Sequence, residues 1–203
     1  SNTNIRILFA LVNFTTQVQP DPGSHPGKPI GYRLMCRFWI YDVFYHPAII
    51  QGHYDYLMRM DDDSYFTDVI EHDLFLYMAN RQLDYMYRSR YWESIKPLKE
   101  VLKRFLNRNT ALHGCIYNNF FIIRLKWFYQ STQVQNFSHA LMHNDLILRQ
   151  YIGDGCVHSA MLKIADYVKV EQITSISYGH NYHLMPLGHP HWIFQHVDEF
   201  YAK

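Results

Sequence analysis

The stretch Tyr54-Asp55-Tyr56-Leu57-Met58-Arg59-Met60-Asp61-Asp62-Asp63-Ser64-Tyr65-Phe66 constrains the fold more than any other part of the chain. An apolar and aromatic run ends abruptly in three consecutive carboxylates. Bounded by Gly52 before and a polar turn after, the run predicts a buried strand. Three acids at the C-terminal edge of a strand repel one another in low dielectric and need a counter-charge. A divalent metal is the largest one available. Ligands of open α/β sheets also gather at strand C-terminal ends. The stretch is therefore read as a strand delivering metal-binding carboxylates to a cleft; a solvated acidic turn is the alternative. Without a metal, Arg59 would have to supply the counter-charge. Strand alternation puts Arg59 on the same face as Asp61 and turns Asp62 away.

The rest of the chain alternates strand and helix patterns. Ile5 to Phe14 is a continuous apolar run compatible with a buried strand. Gln17 to Pro29 holds Pro20, Pro22, Gly23, Pro26, Gly27 and Pro29, and is a loop. Gly31 to Tyr45 presents a broad apolar face and stops at His46-Pro47, which predicts a buried helix. Further helices are expected over Asp68 to Asn80, Ser94 to Arg108, Trp127 to Met142 and Val157 to Tyr167. The second of these is the clearest, with Leu98, Val101, Leu102, Phe105 and Leu106 on one face. Strands are expected over Asp84 to Tyr91, Cys115 to Leu125 and Val168 to Tyr178. Leu146 to Ile152 leads into a Gly153-Asp154-Gly155 turn. The C-terminal remainder reads as irregular. This pattern predicts α/β architecture, and 203 residues suit one domain.

Composition excludes several roles. A net charge of +1 argues against nucleic acid. No apolar run reaches the length of a membrane span, so any membrane anchor is expected outside this chain. Cys36, Cys115 and Cys156 form no C-x-x-C motif; one disulfide with a free thiol, or none, fits their spacing. Asn13-Phe14-Thr15 and Asn136-Phe137-Ser138 are N-glycosylation acceptors in a secretory chain. Aromatic residues make up 17% of the chain, which suits either cleft walls for a sugar or nucleotide or an aromatic-rich core.

A metal cleft needs a ligand besides the acids. His158 follows the Gly-Asp-Gly turn and opens a helix, which would aim its ring at a cleft; a structural His is the alternative. His139 and His143 have metal-competent spacing on a helix but lack the Glu of a zinc-protease helix. His180, His183, His189, His191 and His196 crowd the C-terminal part. Carboxylates with one imidazole suit a hard cation, Mn²⁺ or Mg²⁺.

Several stretches, in order, resemble the fungal-type α-1,2-mannosyltransferase family. Gly31-Tyr32-Arg33-Leu34-Met35-Cys36-Arg37-Phe38 is similar to its Tyr-x-x-Met-Cys-Arg-Phe/Tyr signature, and His46-Pro47 to the following His-Pro. Tyr54 to Asp63 is similar to Tyr-x-Trp-Arg-Val-Glu-Pro-Asp, and Asn119-Phe120-Phe121-Ile122 to Asn-Phe-Glu-Ile. Gly153 to Ser159 is similar to Gly-Asp-Ala-Pro-Val-His-Ser, and Ile176-Ser177-Tyr178-Gly179-His180 to Ile-Gly-Tyr-x-His. The resemblance covers about residues 30 to 185.

The resemblance implies a GT-A-like nucleotide-sugar transferase fold, with a mixed central sheet flanked by helices. One such domain would fill residues 1–203, with 1–30 divergent or truncated. It implies a Golgi-lumen enzyme, membrane-anchored by a segment outside this chain, that retains configuration as it moves mannose from GDP-mannose to a hydroxyl of a mannose-containing glycan. Asp61 and His158 would hold Mn²⁺, with Mg²⁺ an alternative. Tyr32 and Asp63 would be catalytic, and Arg37 and Arg59 would join Tyr32, Asp61 and Asp63 at the donor. Asn119, Tyr178 and His180 would meet the acceptor. Three departures stand out. Phe121 replaces the family's Glu, and a Phe is neither nucleophile nor base. Asp61-Asp62-Asp63 replaces Glu-Pro-Asp, a conservative change for metal binding. Only about 30 residues precede the first signature block, where the family has a long segment. A catalytically impaired module that binds a glycan or a partner enzyme is the alternative function; a metal-dependent hydrolase using Asp61, Asp63 and His158 is a weaker third.

Overall fold

A computed structural model describes residues 7–106, 112 and 114–194. The elements are α1 (Ile30–Ile40), α2 (Pro47–Ile50), β1 (Tyr56–Met60), β2 (Ser64–Phe66), α3 (Leu74–Arg81), β3 (Tyr85–Tyr87) and β4 (Arg90–Tyr91). They continue with α4 (Lys96–Leu106), β5 (Cys115–Ile116), β6 (Phe120–Arg124), α5 (Leu125–Gln130), α6 (Thr132–His143) and α7 (Leu146–Gln150). The last are α8 (Asp154–Ile164), β7 (Val170–Gln172), β8 (Tyr178–His180), β9 (His183–Met185) and β10 (Ile193–Phe194). A short 3₁₀ turn, Asp42–Tyr45, ends the apolar stretch begun by α1.

Two four-stranded sheets organise the chain. The first runs β1-β6-β3-β7 and is mixed: β6 is antiparallel to β1 and β3, while β3 and β7 are parallel. The second, β10-β9-β8-β2, is antiparallel throughout. This is the mixed α/β architecture expected, with helices against the first sheet. Strand β6 shows why an unbroken apolar run was needed. Side chains alternate across a strand, so Phe121 and Ile123 enter the larger core with α1, α4 to α8 and Tyr85. Phe120 and Ile122 enter the smaller core with α3, Met86, Tyr178 and Met185. A strand covered on both faces reads as continuous apolar sequence.

Local chemistry sets several boundaries. The Asp73 carboxylate accepts from the N–H groups of Phe75 and Leu76, so α3 starts there and not at Asp68. Helix α8 begins at Asp154, three residues earlier than the pattern predicts, because Gly155 lets it sit on β5. A Cβ at Gly155 would lie 2.1 Å from the Ile116 carbonyl oxygen. A disulfide between Cys115 and Cys156 fastens the same contact, and Cys36 is a buried free thiol.

Three expectations fail. Residues 7–14 form no strand, and Phe9 and Leu11 are 99% and 93% exposed; an apolar run becomes a strand only beside a partner, and no strand among the described residues pairs with it. The C-terminal part is not irregular, since β8, β9 and β10 are there. The stretch Asp84 to Tyr91 is two strands, not one. The end of the Ser94 to Arg108 helix, residues 5 and 6 of the first run and His196 lie outside the described residues.

Candidate metal and donor cleft

The triple-Asp turn is the point where the chain crosses from the first sheet to the second. Met60 pairs with Phe120 at the end of β1, and the Asp61 N–H donates to the Asn119 carbonyl (3.0 Å). The Ser64 N–H returns to the Asp61 carbonyl (3.0 Å), closing the turn into β2. Ser64 then pairs with His180 on β8. These two registers, one in each sheet, bring Asp61, Asn119, Asp63 and His180 together beside a cavity of about 810 Å³.

Arg59 anchors the cleft floor. It is 3% exposed, and its guanidinium lies over the Trp39 ring at 4.6 Å. Its Nε and Nη2 donate to the two Asp61 oxygens at 2.7 and 3.2 Å, and Nη1 donates to Asp154 at 2.6 Å. Such charge-assisted forks hold a carboxylate in one orientation. Burial alone would raise the Asp154 carboxyl, but Arg59 outweighs it and holds Asp154 below the usual carboxylate range. Burial opposes the Arg59 charge, and Asp154 and Asp61 more than offset it. Asp61 and Asp154 share the Arg59 guanidinium, and with Asp63 beside them the three carboxylates and one guanidinium carry a formal charge of about −2 that a divalent cation would match.

The ligand set differs from the one expected. Donor atoms of Asp61, Asp63 and His180 lie within 4.8 Å of one another. His180 Nε2 is 2.9 Å from Asp63 Oδ1 and 3.9 Å from Asp61 Oδ2. The Asn119 amide lies between, with Nδ2 2.6 Å from Asp61 Oδ2 and 2.9 Å from His180 Nε2. His180 Nδ1 faces the Tyr117 hydroxyl at 2.7 Å. His180 Nε2 and the Asp61 and Asp63 carboxylates converge on one point, and with Nε2 deprotonated and its Asn119 contact given up the set fits a hard cation with oxygen ligands and one imidazole.

His158 is not part of this group. Its ring is buried between α8 and β3, with Nε2 3.0 Å from the Trp39 carbonyl and Nδ1 2.7 Å from the Tyr85 hydroxyl. A carbonyl only accepts, so Nε2 carries the proton and Nδ1 accepts from Tyr85, and no lone pair remains for a metal. Burial lowers its pKa to about 4. The reason for the difference is depth along α8: Asp154 and His158 share a helix face, but Asp154 is the first residue and reaches the cleft, whereas His158, about 6 Å further along the axis, lies in the core against Tyr85 and Trp39.

The other expected residues divide. Tyr32 lines the cleft, with Lys28 Nζ 4.2 Å above its ring, and burial raises its hydroxyl pKa. Arg37 does not; it pairs with Asp42 (3.2 Å) and Asp145 (3.6 Å). Tyr178 is buried behind the turn, its hydroxyl 2.6 Å from Ser64 Oγ, a support for β2 and not a cleft wall. Asp62, expected to face away, also borders the cleft. Phe121 is fully buried, stacked on Tyr85 (5.5 Å) and 4.8 Å from the His158 ring. Asp154, Glu93 and Asn118 also line the cleft and were not singled out. The turn Gly153-Asp154-Gly155 was the available signal for Asp154; nothing local marks the others.

No family model and no curated protein matches the chain. Among solved structures, core-mannan synthase A (CmsA/Ktr4) from Aspergillus fumigatus, in its Mn/GDP form, is similar with a TM-score of 0.67 and 22% identity, over 81% of this chain and 52% of that one. The mannosyltransferase Ktr4p from S. cerevisiae, in complex with GDP, is similar with a TM-score of 0.65 and 17% identity, over 77% of this chain and 47% of that one. The chain therefore shares the GT-A-like fold of these structures. The chain spans about half the length of these structures.

Proposed function

We propose that the cleft is a divalent-metal and nucleotide-diphosphate site, and that the chain transfers mannose from GDP-mannose to a hydroxyl of a mannose-containing glycan. The observation that carries this reading is the convergence of Asp61, Asp63 and His180 where β1 meets β2. The fold shared with structures holding GDP supports it. Mn²⁺ is the cation of one of those structures, and two carboxylates with one imidazole suit Mn²⁺, with Mg²⁺ the alternative.

When bound, the cation would neutralise the leaving diphosphate as a Lewis acid. The chain's own part is positioning. Arg59 and Asn119 fix the Asp61 carboxylate, and a cation held by His180 Nε2 would replace the contact that nitrogen makes with Asn119. Tyr32 and Lys28 form the opposite wall. Phe121 cannot act as nucleophile, which leaves a retaining transfer to front-face substitution or to a cleft carboxylate. Asp154, ionised and held by Arg59, is the most enclosed of these. The α-1,2 linkage, the Golgi lumen as location and an anchor outside this chain belong to the same proposal; the Cys115–Cys156 disulfide supports an oxidising compartment. No helix among the described residues is long and apolar enough to cross a membrane.

A thermal-shift titration tests the reading. GDP-mannose with Mn²⁺ should raise the melting temperature. Asp61→Asn and His180→Ala should abolish the rise, while Arg37→Ala leaves it intact. No rise with any nucleotide sugar would overturn the proposal. Phe121 favours a second reading, a glycan-binding module that has lost transfer; slow sugar transfer or donor hydrolysis by the purified chain would exclude it.

A further inference from the structure

A second cavity, of about 940 Å³, lies at the other end of the first sheet and plays no part in the proposed reaction. The strand register places it. Tyr56 pairs with Arg124 at one end of β1, and Met60 pairs with Phe120 at the other. Tyr56 and Arg124 line the second cavity, whereas Met60 and Asp61 line the first. Four residue steps at about 3.3 Å put roughly 13 Å of strand between them.

The charges of this cavity are largely matched within the protein. Arg124 donates to the buried Asp84 carboxylate through Nε (2.9 Å) and through Nη2, and Asp84 also accepts from the Lys169 N–H (2.9 Å). Lys169 Nζ donates to Gln82, and Gln133 donates to Asp166. What remains suits a different partner. Tyr167 is 93% exposed, and the half-buried Tyr56 lines the same cavity. Lys126 and Gln130 are exposed. Trp127 is buried in the same wall, and its Nε1–H has no hydrogen-bond partner among the described residues. A buried donor without an acceptor is unfavourable, and water, an ion or a ligand supplies the acceptor where the chain does not.

Flat aromatic surface, amides and an amine, and an unmatched indole donor complement a ligand with C–H faces and many hydroxyl oxygens. We propose that this cavity is a second carbohydrate-binding site, separate from the metal cleft, that takes a neutral oligosaccharide. Sugar faces would lie against Tyr167 and Tyr56, with hydroxyl oxygens accepting from Lys126 and the Gln130 amide. The site stands on its own residues; only the choice of a mannose probe rests on the proposed function.

The test uses the whole chain with ¹⁵N-labelled indoles, titrated with α-linked mannotriose and separately with maltotriose. The Trp127 Nε1–H signal, assigned through Trp127→Phe, should shift with at least one trisaccharide. Tyr167→Ala should weaken that binding at least tenfold at an unchanged melting temperature, and Lys126→Ala should weaken it less. Asp61→Asn should leave it unchanged. Silence of the Trp127 signal with both sugars at millimolar concentration would overturn the proposal. So would binding that survives Tyr167→Ala and is lost in Asp61→Asn, which would place the sugar in the first cavity. A response to inorganic phosphate alone would reassign the cavity as an anion site. Absence of a GDP-mannose and Mn²⁺ response would overturn the function proposed above and leave this result standing.

Discussion

Mild acid should destabilise this protein through His158. The ring is buried, and burial lowers its pKa from 6.5 to about 4, against the opposing pull of Asp154 and the Trp39 carbonyl. In the unfolded chain the same imidazole takes up its proton near pH 6.5. Between those values the unfolded state binds more protons than the folded state, so stability falls as pH decreases. The stabilisation is fully present above about pH 6.5 and is lost by about pH 4. A shift of this size corresponds to roughly 3 kcal/mol, or about 6–12 °C of melting temperature for a chain of this length. His183, also lowered by burial and by His180, adds a slope of the same sign. Asp154, which Arg59 holds below the usual carboxylate range, adds a slope of the same sign only near pH 4 and below. The assay is the circular-dichroism melting midpoint from pH 7 to pH 4, for the native chain and for His158→Gln. The variant keeps a donor and an acceptor but cannot titrate. It should melt lower at pH 7 and lose most of the slope. An equal slope in both proteins would refute the argument, as would a flat native profile.

Two further outcomes follow from the packing. Phe121→Glu restores the residue type of the resembled family but places a carboxylate between Tyr85, Trp39 and His158. It should cost roughly 3 kcal/mol or more, and measured transfer should not rise; an unchanged denaturation midpoint would show that the position is not enclosed. Reduction of the Cys115–Cys156 bridge, which joins residues 41 apart, should lower stability by about 4 kcal/mol. Cys115→Ser should match the reduced protein in a urea titration, and insensitivity to reductant would count against a role for the bridge.

The parts of the site legible in the sequence were those set by local periodicity. The run ending at Asp61 is a strand with carboxylates at its end, and alternation put Arg59 beside Asp61, where it forms the ion pair. The apolar stripe of α4 was equally plain. The imidazole was not, because choosing among many His residues requires knowing which strands meet. His180 comes to Asp63 only through the pairing of β2 with β8, each of three residues. Strands that short carry almost no periodic signal. His158 looked suitable because it follows a glycine turn at a helix start. One helical turn separates it from Asp154, enough to move a side chain from the cleft into the core.

The free side of β1 carries a consequence for handling the molecule. Among the described residues nothing pairs with that side, and Met58 and Met60 stand 37% and 36% exposed along it. Its single charge, Arg59, is turned inward to Asp61 and Asp154. Neither a proline, a bulge nor an outward lysine blunts the edge, which are the usual protections against strand-to-strand association. The apolar residues 7–12 of a neighbouring molecule, strand-like in sequence and outside any sheet, are a matching donor. An intermolecular sheet pairing residues 7–12 with β1 is therefore the expected route of association in concentrated solution, at the strand that leads into the metal-site carboxylates.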